Sequence, residues 1–256
     1  MIVKTRAVVL REIKYRDQSK ICLLLTKEFG QVSVILKAVR NPKNRMSGLF
    51  SAGNIVDTVI YRRSTREIQF ASDASLVLST LSQEPDLERF GVLYRVLDLA
   101  RHSSGPEEKN IPLFTLLSST IERLCCATDG FQATLVRFLL QLVGVLGFRP
   151  SIDRCVFSGE EIDPAIRALN LRELYFVHDP GGFALPGARA TFDSLLLPVP
   201  VERYRLLRAI AANEAQAADP TDVVALCDLL QEYCARHLEH LPHRKHLEIV
   251  SRLVSA

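Results

Sequence analysis

Apolar and polar residues alternate along the first eighty positions with the period of two that belongs to half-buried strands. The run 4–13, KTRAVVLREI, alternates until Tyr15-Arg16-Asp17-Gln18 breaks it. A second run, ICLLLTKE at 21–28, ends at Phe29-Gly30, and a third, QVSVILKAV at 31–39, is rich in β-branched residues. The segment 39–53 carries Asn-Pro and two glycines and reads as a loop. Strands four and five are expected at 54–63 and 67–77, joined by the charged turn Arg63-Ser64-Thr65-Arg66. Five short strands in so few residues fit a small closed barrel. The pattern suits an OB-fold and an SH3-like barrel equally.

Near Gln83 the spacing changes to that of helices. Leu87, Phe90, Tyr94, Leu97 and Ala100 predict one apolar face, and Leu113, Leu116, Leu117, Ile121 and Leu124 a second. A third helix is expected over 132–146, with Leu135, Phe138, Leu139, Leu142, Val143 and Leu146 inward, ended by Gly147 and Pro150. Residues 150–198 lose the period and collect prolines and glycines. They read as an irregular insertion with a hairpin around LYFV and GGFAL. Helices return at 202–213 and 221–241, the latter with Thr221 as its expected N-cap. The expectation is therefore an α+β chain: a barrel domain over 1–80 and a helical domain over 81–256 interrupted at about 150–198.

Charge divides along the same boundary. Residues 1–80 hold fourteen Lys or Arg against six Asp or Glu, a balance of +8. The whole chain has a net charge of +3, so the rest is acidic at −5. Cations concentrated on one small β-module mark a polyanion binder, nucleic acid being the commonest. They group at three places: Lys14, Arg16 and Lys20 at the first turn, Lys37, Arg40, Lys43 and Arg45 after the third strand, and Arg62, Arg63 and Arg66 at the last. Such a groove displaces counterions from a phosphate backbone. Tyr15, Phe50, Tyr61 and Phe70 are the aromatics available to stack bases, with Phe50 and Phe70 better suited to a core.

Other chemistries find little support. The sequence has no phosphate-cradling P-loop, no G-x-S-x-G, no H-E-x-x-H and no carboxylate pair apart from ordinary surface charge, so no enzyme and no cofactor are expected. His237, His240, His243 and His246 repeat every third residue. Steps of roughly 300° drift around a helix and Pro242 interrupts them, so the run reads as a solvated basic helix and not as a metal site. Six cysteines fit neither a disulfide framework nor a four-thiolate site and are read as buried thiols. No apolar run approaches the roughly 18 residues of a membrane span, and Lys4 and Arg6 interrupt the start of the chain. A soluble, cytoplasmic, nucleoid-associated protein is expected. Three functional classes fit these features: a DNA-binding protein, an OB-fold RNA-binding or translation-associated protein, and an adaptor acting through its helices.

The segment KTRAVVLREIKYRDQSKICLLLTKEFGQVSVILKAVRNPKNR resembles the opening of the bacterial RecO family of recombination mediators. It matches in the first strand ending in V-L, in L-T-x-E-x-G-x-V before the third, and in the basic loop beyond. TLVRFLLQLVGVLGFRPSIDRC is similar to that family's helix-and-cysteine segment. The resemblance implies an OB-fold, a helical domain, and binding of single- and double-stranded DNA without catalysis. It also implies annealing of strands coated by single-strand-binding protein (SSB), and work with RecR that indirectly serves RecA. Many members carry a zinc site of two C-x-x-C pairs. Here Cys155 is followed by Ser158, and Leu185 and Ala188 stand where the second pair would fall, so no metal is expected and the insertion is a degenerate zinc-finger-like module. Its packing is assigned to Phe157, Tyr175, Phe176 and Phe183. The resemblance also supplies the acidic C-terminal tail of SSB as a partner. A greasy pocket rimmed by cations would receive it, and Arg123, Arg137, Phe138, Leu142 and Arg149 are the expected residues.

Overall fold

The computed structural model describes residues 1–39, 41, 44, 46–82, 84–187, 196–214 and 219–238. Five strands form where the alternation predicts them: β1 (Ile2–Tyr15), β2 (Ser19–Thr26), β3 (Gly30–Leu36), β4 (Ile55–Tyr61) and β5 (Ile68–Leu78). They close in the order β1-β2-β3-β5-β4, with β4 returning antiparallel to β1 and β3 lying parallel to β5. This is an OB-fold barrel, and the SH3-like alternative falls away. The inward residues are the alternating apolar ones, among them Val9, Cys22, Leu24, Val34 and Ile60. Each such fully buried side chain contributes roughly 1.5–3 kcal/mol. Phe50 and Met46, from the loop after β3, join this core. Asn54 is buried with them, and its amide donates to the carbonyls of Gly48 (3.2 Å) and Leu49 (3.1 Å) while its oxygen accepts from the Thr80 N–H at 3.1 Å.

Among the described residues six helices follow: α1 (Leu87–His102), α2 (Ile111–Cys126), α3 (Phe131–Val145), α4 (Ile162–Leu169), α5 (Val201–Ala212) and α6 (Pro220–His237). The insertion also holds β6 (Glu173–Val177), β7 (Gly182–Ala184) and β8 (Leu196–Pro200). The change from strand to helix falls near residue 80. The change of compact unit falls at 131, between Met1–Phe131 and Gln132–Glu239.

In the first unit α1 and α2 pack with the barrel. The Asp86 carboxylate accepts from the Arg89 N–H at 2.7 Å to cap α1, and the Asn110 side chain caps α2 through the Leu113 N–H at 2.9 Å. Gln31 on β3 donates to the carbonyls of Arg101 (2.7 Å) and Ser104 (2.8 Å), fastening the C-terminal end of α1 to the barrel. Gly30 makes this closeness possible. Its φ is +66°, and a Cβ there would lie 2.1 Å from the Glu108 carbonyl oxygen. The apolar face of α1 differs from the expected one. Val92, Leu93, Val96, Leu97, Leu99 and Ala100 are buried, whereas Leu87 and Tyr94 are exposed. The five-residue stripe is a weaker apolar surface than the denser valine-leucine face beside it, which wins the core.

In the second unit α3 buries Leu135, Phe138, Leu139, Leu142 and Val143 as its period predicts, whereas Leu146, expected inward, lies past the helix end and is only half-buried. The expected hairpin is present as β6 and β7, and β8 adds to the other side of β6. α4 and β8 are not evident in the sequence because their prolines mask the periods. Phe176 packs edge-on against Phe183 (5.3 Å) and Tyr233 (5.5 Å), and Phe183 against Tyr204 (5.0 Å). Phe157 and Tyr175 are only half-buried, so two tyrosines outside the insertion replace them in its core. The Tyr204 hydroxyl donates to the Ile152 carbonyl at 2.9 Å, and its burial pushes its own pKa up to about 12. Arg208 bridges Asp153 (3.3 Å) and Asp163. Asp219, not Thr221, caps α6, because its carboxylate reaches the Thr221 N–H at 2.8 Å and Pro220 takes the first helical position.

His237 departs from the solvated helix expected of it. Its ring stacks on Phe148 at 4.6 Å, with Nε2 shielded. His240, His243 and His246 lie outside the described residues.

Candidate nucleic-acid interface

The cations expected at the barrel turns separate into groups. Lys14 and Lys20 are register partners across β1 and β2. Lys20 lies opposite Leu36, beside the end of β3. Arg16, at φ +51°, sets its guanidinium 5.3 Å from the Tyr15 ring, while Lys20 pairs with Glu12. Lys37 extends from β3 over the Phe70 ring, its Nζ 5.6 Å from the centroid. Arg62 is turned away toward Glu107 at 3.0 Å, with its guanidinium 4.6 Å from the Phe29 ring. Arg40, Lys43 and Arg45 lie outside the described residues.

Arg63, Arg66 and Lys37 converge on a cleft of about 250 Å³ that Ile35, Tyr61, Ile68 and Phe70 also line. Among the described residues three cations and no carboxylate face it. Phe70 is half-buried, Tyr61 is 44% exposed, and their ring centroids are 5.9 Å apart. Positive charge beside apolar rings is the combination that tracks a phosphate backbone and receives bases. Phe50 takes no part and is core.

Gln69 builds the turn that carries the two arginines, and no sequence signal marks it. It is buried; its side-chain oxygen accepts from the Arg63 N–H at 2.8 Å. Its amide donates to the carbonyls of Arg63 (3.1 Å) and Arg66 (2.6 Å). Elsewhere on the barrel Arg6, Lys20 and Arg62 are engaged by carboxylates. Arg6 forms a two-point bond with Asp57 at 2.8 and 3.0 Å, and this bond holds the Asp57 carboxyl below the usual carboxylate range.

The residues assigned to tail capture are divided between the units. Arg123 is exposed on α2 of the first unit. Arg137 and Arg149 belong to the second, where Arg137 donates to the Ile210 carbonyl and Arg149 is exposed. Phe138 and Leu142 are fully buried in the second unit's core.

The residues at the zinc positions do not fit a tetrahedral thiolate site. Cys155 supplies one sulfur and Ser158 and Leu185 supply none, while Ala188 lies outside the described residues. Among the described residues no group of three His, Cys, Asp or Glu is placed to hold a metal. The Cys155 sulfur instead accepts backbone N–H groups from Leu185 (3.4 Å) and Ser158 (3.5 Å). Burial alone would push this thiol up, but the hydrogen bonds from Ser158, Leu185 and Phe157 outweigh it and leave the thiol lowered. All six cysteines are free thiols; Cys126 alone is exposed. No described helix is long and apolar enough to cross a membrane.

The barrel domain is thus an OB-fold with a cationic, aromatic-lined cleft, and a helical region follows it. The comparisons with known proteins give the family. The chain matches Recombination protein O N terminal over residues 1–80 and Recombination protein O C terminal over residues 84–247. It is similar over its whole length to the DNA repair protein RecO of Chlorobaculum parvum, with 61% identity and full coverage of both chains. That of Pelodictyon phaeoclathratiforme is 56% identical over 99% of each chain. That of Chloroherpeton thalassium is 30% identical over 99% of this chain and 100% of its own. The chain belongs to the RecO family of DNA repair proteins.

Proposed function

We propose that the protein is a recombination mediator that binds DNA through the barrel and anneals complementary single strands. In the same reading it works with RecR to help load RecA onto SSB-coated DNA. The observation that carries this is the acid-free cleft of Lys37, Arg63 and Arg66 beside Tyr61 and Phe70. Two DNA strands repel through their phosphates. Cations that neutralise part of that charge release counterions and lower the barrier to approach. Such annealing needs no nucleotide hydrolysis and no cofactor.

Partner contacts fall to the helical unit, where Arg137 and Arg149 would engage the acidic end of an SSB tail. With Phe138 and Leu142 in the core, the apolar part of that contact must come from neighbouring surface. Arg137→Ala should weaken binding of a tail peptide while naked-DNA binding stays unchanged.

The direct test is annealing of two complementary oligonucleotides followed by fluorescence quenching. Lys37→Ala/Arg63→Ala/Arg66→Ala should slow annealing without changing the fold measured by circular dichroism. Wild-type annealing in that variant would sink the proposal. Preferential binding of structured RNA in direct competition would favour the RNA-binding alternative.

A further inference from the structure

The outward face of the barrel carries an apolar row that strand alternation alone does not reveal. Ile13 pairs with Ile21, Ile21 with Ile35, Ile35 with Phe70, Phe70 with Tyr61, and Tyr61 with Ile2. Directly paired residues project to the same face of a sheet, so the row runs across all five strands and winds around the barrel. The residues beside them, Cys22, Val34, Ile60 and Ala71, are buried inward, which sets the row outward. Tyr61, Ile2 and Ile13 are exposed, and Ile21, Ile35 and Phe70 are half-exposed. Outward positions of a barrel are ordinarily polar, and an ordered apolar row there needs a purpose.

We infer that the stretch Ile21–Ile35–Phe70–Tyr61 is a base-stacking track that selects unpaired DNA, with Tyr61 taking one base in the cleft. This rests on the reading of the cleft as the DNA site and adds the state of strand that it accepts. Four features point to it. The cleft, at about 250 Å³, lies below the roughly 300–1,000 Å³ of pockets for drug-sized ligands and has room for a single heterocycle. Lys37 stands over Phe70, which leaves Tyr61 as the more exposed ring. Lys37, Arg63 and Arg66 line the same cleft, within reach of the phosphates flanking an inserted base. Apolar contact, unlike hydrogen bonding to base edges, tolerates every sequence. A duplex keeps its bases stacked inside and can offer only its phosphates. Pairing therefore withdraws the base from Tyr61, and the protein loosens its hold on the stretch it has annealed.

Three probes separate the contributions: a labelled oligothymidylate, a strand of equal length built of abasic sites, and a duplex. Wild-type protein should bind the oligothymidylate roughly 5- to 150-fold more tightly than the abasic strand, the range of one stacked base. Tyr61→Ala should shrink that difference several-fold, lowering oligothymidylate affinity far more than abasic or duplex affinity. Tyr61→Phe should restore it, since the ring and not the hydroxyl acts. Equal wild-type affinity for the oligothymidylate and the abasic strand would overturn the inference, and so would equal losses on all three probes in Tyr61→Ala. The cleft reading fails separately, if Lys37→Ala/Arg63→Ala/Arg66→Ala leaves every affinity unchanged.

Discussion

Gln69→Leu tests the link between a buried side chain and DNA binding. The substitution keeps the volume and removes three hydrogen bonds to the backbone of Arg63 and Arg66. Each is worth about 1 kcal/mol net, and the partners left behind lie at the rim where water can partly replace the amide, so the destabilisation is about 2–3 kcal/mol. In a unit of this size that lowers Tm by roughly 6–12 °C. The turn also loses its fixed shape, so both guanidiniums leave the cleft for part of the time. Two exposed charge interactions at about 0.5–1 kcal/mol each give roughly 5- to 30-fold weaker DNA binding. Thermal unfolding by circular dichroism and fluorescence anisotropy on one labelled strand read both effects. A lowered Tm with wild-type affinity would show that the turn does not touch DNA. No change in either would show that Gln69 does not hold the turn.

Gly30→Ala should destabilise the first unit by on the order of 3 kcal/mol, read by urea unfolding, because a Cβ at positive φ would meet the Glu108 carbonyl. His178 should make stability depend on pH. It is 8% exposed, neither ring nitrogen has a hydrogen-bond partner among the described residues, and burial first, then Arg236 and His237, depress its pKa against the opposing pull of Glu232. The unfolded chain therefore binds a proton that the folded one resists. Stability is full above about pH 6.5 and falls as pH drops from there through the lower folded value, and urea midpoints for His178→Phe should lack that part of the decline. Metal analysis of chelator-free protein should give far less than one zinc per chain, and a value near one would mean that ligands other than Cys155 complete a site.

The barrel strands were legible because one residue in two must face the core. That they close a small barrel was legible too, but the strand order that separates an OB-fold from an SH3-like barrel was not, because the β3–β5 and β1–β4 pairings join residues far apart in sequence. α3 was legible because its apolar residues recur at the three- and four-residue spacing of one helix face, and α4 and β8 were hidden by prolines. At the site, Lys37 and the pair Arg63 and Arg66 could be read as cationic, but as members of two separate groups, and their meeting in one cleft could not. That Arg62 is diverted by Glu107 could not, since nothing local distinguishes it from Arg63. Nor could the row through Ile35, Phe70 and Tyr61, which exists only in the cross-strand register.

The most direct test of DNA binding at the barrel cleft is the salt dependence of affinity for a single strand. Every cation–phosphate pairing removed should flatten the slope of log K against log salt by about 0.7, so Lys37→Ala/Arg63→Ala/Arg66→Ala should flatten it by about two units. A variant that keeps the wild-type slope and affinity would place the DNA elsewhere on the protein and contradict the account.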